Sequence, residues 1–99
     1  MTWIKIGTTD NALNNKGRLF IVNEKKIAVF NINNEFFAID NKCPHAGVDL
    51  CNGDVTDKVL TCPAHGWQFN LETGEGVILP VGVKKYEIKV ENDDLMLNI

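Results

Sequence analysis

An all-β fold of antiparallel strands is predicted by three features of the sequence. Short runs rich in β-branched and aromatic residues recur, turn-forming residues separate them, and no window sustains the i, i+3, i+4, i+7 period of an amphipathic helix. The first predicted strand is Arg18-Leu19-Phe20-Ile21-Val22, and Asn23-Glu24-Lys25 divides it from a second over Lys26 to Ile32. Asn33-Asn34 then divides the second from Glu35-Phe36-Phe37-Ala38-Ile39, which gives a three-stranded meander. A short strand pair is expected around Gly53 to Thr61. The clearest alternation lies at the C-terminus, where Tyr86, Ile88 and Val90 share one face. Leu95, Leu97 and Ile99 match them across Glu91-Asn92-Asp93-Asp94, and this hairpin is expected to close the sheet.

The 99 residues suffice for one domain, 1–99, with one core. With 44% hydrophobic and 23% charged residues the composition is that of an ordinary globular chain. The net charge is -3, Arg18 is the single arginine, and Lys25-Lys26 and Lys84-Lys85 are the adjacent lysine pairs. Nucleic acid and anionic membranes are therefore not expected as partners. The apolar runs, such as Ile27 to Phe30 and Phe36 to Ile39, are far too short to span a bilayer, and no leader pattern is expected at the start of the sequence. A cytoplasmic monomer is the expectation. An odd count of three cysteines fits reduced thiols or a metal site better than a disulfide scaffold.

Between the two sets of strands, residues 41–69 lose their periodicity and collect the cysteines, both histidines, two prolines and three glycines. Such a segment reads as loops on a scaffold, the usual place for chemistry. It contains an internal echo: Cys43-Pro44-His45-Ala46-Gly47 and Cys62-Pro63-Ala64-His65-Gly66. Each half supplies one sulfur and one imidazole, donors suited to iron–sulfur clusters and to zinc. Proline after each cysteine fixes φ, while Gly47 and Gly66 allow the backbone to turn toward the sulfurs. A Cys2His2 zinc site in a small interaction module is the alternative on donor type, although zinc sites usually pair cysteine with cysteine and histidine with histidine.

The pattern C-x-H, a sixteen-residue spacer and C-x-x-H resembles the Rieske family. The resemblance is concentrated in Cys43 to Phe69 and extends to Thr73-Gly74-Glu75. It implies a small antiparallel β-sandwich or barrel with a two-loop cluster-binding subdomain. It also implies one [2Fe-2S] cluster per chain, with Cys43 and Cys62 on the inner iron and His45 and His65 on the outer one. Two thiolates on a core of formal charge +2 would make the oxidised centre neutral with neutral imidazoles, which eases reduction.

High-potential members of the family carry a loop-to-loop disulfide, whose cysteines would fall at Val48 and Ala64, and hydroxyl donors, which would fall at Trp67 and Phe69. None of these is present, which implies a potential near the low end of the Rieske range, roughly -150 mV. Phe69 reads as core packing, Trp67 as packing beneath the loop, cluster shielding or a partner contact, and Cys51 as a small buried hydrophobe outside the ligand set. Asp40, Asp49, Asp54 and Asp57 read as solvated surface, or else as an acidic steering patch for a basic docking face. With no nucleotide loop and no spare histidine, the chain is not expected to be an enzyme. The resemblance implies a soluble one-electron carrier between a flavoprotein ferredoxin reductase and a terminal oxygenase. The small Rieske-like subunit of an assimilatory nitrite reductase is the alternative.

Overall fold

Tight turns set the architecture. Asn23-Glu24, Asn33-Asn34, Asp57-Lys58 and Asn92-Asp93 all have positive φ at both positions, the backbone that two-residue hairpins of matching twist require. Asn and Asp tolerate this region best, and they fill six of the eight positions. In the computed structural model, which describes residues 2–44, 47–64, 66–77 and 81–99, these turns join most of nine strands.

A six-stranded antiparallel sheet contains β1 (Trp3–Thr8), β2 (Lys16–Val22), β3 (Lys25–Ile32), β4 (Glu35–Asp40), β8 (Lys85–Glu91) and β9 (Asp94–Asn98). Its order is β1-β9-β8-β4-β3-β2. A smaller sheet is made by β5 (Asp54–Thr56), β6 (Val59–Thr61) and β7 (Gln68–Asn70), in that order. Two single 3-10 turns, Thr9–Asn11 and Leu50–Asn52, are the helical segments among the described residues. No helix there is long and apolar enough to cross a membrane.

The predicted all-β class and its hairpins are present, with two corrections of extent. Lys25 pairs with Val22 and belongs to β3, not to the turn, and Glu91 pairs with Asp94, so each of these turns shrinks to two residues. The C-terminal hairpin closes the sheet through β1, a strand that the sequence reading did not include: Ile4 pairs with Leu97.

Two cores share one wall. On one side, Val22, Ile27, Val29, Ala38, Tyr86 and Leu97 pack with Ile4, Ile6, Phe20 and Ile88, so the outer strands β1 and β2 curl toward each other as in an open barrel. On the other side, Ala28, Phe30, Ile32, Phe37 and Ile39 pack against Leu50, Leu60, Phe69 and Leu71 of the smaller lobe. Strands β3 and β4 are thus apolar on both faces, which explains why Ile27 to Phe30 reads as a continuous run and not as alternation. Lys58 clasps the lobe to this wall: its Nζ lies 3.1 Å from Glu35 Oε1 and 3.9 Å from Glu72 Oε1.

Candidate metal centre

The sequence echo is a structural echo. An antiparallel bridge between Lys42 and Asp49 closes a six-residue loop, 43–48, and the Thr61–Gln68 pair of β6 and β7 closes another, 62–67. In the first, Cys43 N–H donates to the Val48 carbonyl at 3.0 Å and Gly47 N–H donates to the Cys43 carbonyl at 2.8 Å. In the second, Cys62 N–H donates to the Trp67 carbonyl at 2.7 Å and Gly66 N–H to the Cys62 carbonyl at 3.1 Å. The fifth residue of each is a glycine with φ of +68° or +76°, a region that a Cβ would strain.

Cys43 and Cys62 open these loops, are each 1% exposed, and belong to the same contiguous core as Leu50, Leu60 and Phe69. Two thiols delivered into one buried patch by matched loops fit a shared soft-metal centre whose sulfur side is shielded from water. The other two expected ligands, His45 and His65, lie outside the described residues, as does Ala46. In sequence they take the third position of the first loop and the fourth of the second.

Asn41 holds the neck of the first loop. It is buried, and all of its polar groups are engaged. Its N–H donates to the Lys26 carbonyl at 3.1 Å and its carbonyl accepts from Leu50 N–H at 2.7 Å. Its side-chain Nδ2 donates to Asp49 Oδ1 at 3.0 Å, and its Oδ1 accepts from Cys51 N–H at 3.0 Å. One residue therefore ties β4 to β3 and to the segment after the loop. The sequence reading missed it, because an isolated asparagine beside a lysine carries no periodic signal. A second tie is the bond from Tyr86 Oη–H to Asp40 Oδ1 at 2.6 Å, and burial followed by this bond pushes the phenol above its ordinary pKa.

Phe69 is fully buried beneath the loops, as expected, and Trp67 is half-buried against the same core. Cys51 lies in the 3-10 turn beyond the loop, half-buried. Burial and then the Asp49 carboxylate push its thiol pKa up, so it stays protonated. The four acidic residues do not form one patch, although exposed Asp54 pairs with Thr61 beside the second loop. Asp40 is half-buried under Tyr86, Asp49 sits at the loop neck, and Asp57 is in the β5–β6 turn beside Lys58, which faces the opposite end of the wall.

Comparison with known proteins decides between zinc and an iron–sulfur centre. The profile of the family described as "Rieske [2Fe-2S] domain" matches residues 2–89. The chain belongs to the Rieske [2Fe-2S] family. The cofactor of this Rieske domain is accordingly a [2Fe-2S] cluster, and the zinc alternative is set aside. The ferredoxin component of the alkene monooxygenase system of Xanthobacter autotrophicus is 33% identical over 98 residues, which cover 96% of this chain and 80% of that one. Among solved structures, a chain in the complex of reduced oxygenase and oxidized ferredoxin of carbazole 1,9a-dioxygenase superposes with a TM-score of 0.85 at 26% identity, over 96% and 91% of the two chains. A chain assigned as a nitrite reductase NADPH small subunit superposes with a TM-score of 0.92 over the full length of both, but at 17% identity, so this similarity speaks for the fold.

Proposed function

We propose that this Rieske domain is a one-electron carrier that takes electrons from a flavoprotein ferredoxin reductase and delivers them to a terminal oxygenase, with Cys43, His45, Cys62 and His65 as the cluster ligands. The observation that carries the ligand set is the matched pair of loops, with their cysteines in one buried core. When bound, the cluster accepts and releases one electron. The chain's own contribution is rigidity and exclusion of water. The bonds across each loop and the glycine turns fix the positions of Cys43 and Cys62, which limits reorganisation, while Leu60, Phe69 and Leu50 form a dry floor. The name of the alkene monooxygenase relative and the oxygenase–ferredoxin complex support an oxygenase partner, and the nitrite reductase likeness adds only a shared fold.

Electron paramagnetic resonance of the reduced protein tests the ligand set. A Rieske-type spectrum is expected, and it should be lost in His45→Cys and in His65→Cys, because imidazole on one iron distinguishes this centre from an all-thiolate ferredoxin. A plant-ferredoxin spectrum in the unmutated protein, or an unchanged spectrum in either variant, refutes the assignment.

A further inference from the structure

We propose that Lys25, Lys26, Lys42, Lys84 and Lys85 form a collar beside the first cluster loop that docks an acidic face of the electron-transfer partner. The two lysine pairs are far apart in sequence, and the end of β4 brings them to one rim. Asp40 N–H donates to the Lys84 carbonyl at 3.0 Å, Asn41 N–H donates to the Lys26 carbonyl at 3.1 Å, and Lys42 follows directly before Cys43. All five lysines are exposed. The ion pairs among the described residues engage Lys5, Lys58 and Lys89 instead. Lys84 Nζ stands 4.9 Å from the centre of the Tyr86 ring. A cleft of about 140 Å³ opens between Lys25 and the Lys84-Lys85 pair, with Tyr86, Ile99 and the hydrogen-bonded Glu87 and Asn98 in its lining.

The carboxylates near the collar are Glu24, Asp40, Asp49 and Glu87. Three of them already accept hydrogen bonds from neutral groups, namely Tyr86, Asn41 and Asn98. Asp10, Glu35, Glu91, Asp93 and Asp94 sit at the other end of the strands, while exposed Asp54 pairs with Thr61 beside the second loop. A chain of net charge -3 therefore gathers five lysines outside any ion pair among the described residues on the side of its first cluster loop. Such a local cluster orients an approaching protein with a local acidic patch. Nucleic acid and anionic bilayers present extended negative fields that meet the whole negative molecule, so they are disfavoured. The collar is opposite in sign to the acidic steering patch that the sequence offered beside solvated surface. Its partner rests on the electron-carrier reading, while the surface itself does not.

The test is an amide-shift titration of isotope-labelled holoprotein with poly-L-glutamate, with duplex DNA and phosphatidylserine vesicles as separate arms. Polyglutamate is expected to shift the amides of Lys25, Lys26, Lys84 and Lys85. Its affinity should fall roughly tenfold in Lys25→Glu/Lys85→Glu and at about 0.3 M salt, and change less than about twofold in Glu91→Gln/Asp93→Asn. Polyglutamate contacts elsewhere, indifference to the lysine reversals, or tighter binding of DNA or vesicles overturns the collar. Stopped-flow oxidation of the reduced holoprotein by ferricyanide should slow in the same lysine variant, and an unchanged rate overturns its placement beside the cluster. Amide shifts do not depend on cluster type. A collar that binds polyglutamate in a protein lacking the Rieske spectrum overturns the electron-transfer partner alone.

Discussion

Replacing Asn41 with alanine should destabilise the protein far more than its surface neighbourhood suggests. The substitution removes the acceptor for Cys51 N–H and the donor to Asp49, in a side chain that is 1% exposed. An amide N–H left unpaired in the interior costs about 1–3 kcal/mol, and the vacated volume adds to this, so a total of about 2–4 kcal/mol is expected. For a domain of this size each kcal/mol lowers Tm by about 4–8 °C, which puts the loss at roughly 8–32 °C. Because Asn41 closes the neck of the first loop, bleaching of the visible absorbance under a chelator should also accelerate. The comparison variant is Asp49→Ala, which removes the same Asn41–Asp49 bond from its solvent-facing side and should cost less than about 1 kcal/mol. Circular dichroism melts and chelator bleaching measure both. An Asn41→Ala loss below about 4 °C, or one no larger than that of Asp49→Ala, would refute the view that this side chain holds the loop.

Two further outcomes are expected. Cys51→Ser should leave iron content and visible spectrum intact, since the thiol lies outside both loops and is held protonated; iron loss on that single change, read by metal analysis, would contradict it. Tyr86 has a folded pKa above that of the unfolded chain, so its contribution is fully present below about pH 10 and is lost as pH rises through the folded value. Melting temperature should therefore fall above about pH 10, with a smaller fall in Tyr86→Phe, and parallel alkaline profiles of the two proteins would count against this role.

What the sequence made legible was whatever local chemistry enforces. Asn33-Asn34 and Asn92-Asp93 announce their turns, and the apolar residues of Lys26 to Ile32 announce a strand. The Cys-Pro and His-Gly spacing carried the family resemblance because the loop frame needs those residue types at those places. Other features depended on partners remote in the chain. Strand β7 holds one apolar residue, Phe69, and exists through its pairing with β6. In β1 only Ile4 and Ile6 pack into the barrel core, and a register irregularity between Lys5 and Gly7 interrupts the alternation. The lysine collar required the register of β3, β4 and β8, which no spacing in the sequence reveals. Asp57 was counted with the cluster region because it is near in sequence, yet its turn carries it away.

The recurrence of one frame in two loops has a consequence for engineering. Each frame carries its own antiparallel closing pair and its own two backbone bonds within eight residues, Lys42–Asp49 or Thr61–Gln68, and in the first the Asn41 neck ties that frame to β3. That makes the frame portable. A designer seeking a mixed sulfur–nitrogen centre need not transplant the domain, only two such octapeptides with the Asn41 neck onto neighbouring hairpins of an idealised sheet. The remaining variable is the relative placement of the hairpins, which here is set by Leu50, Leu60 and Phe69 against Phe30 and Ile39.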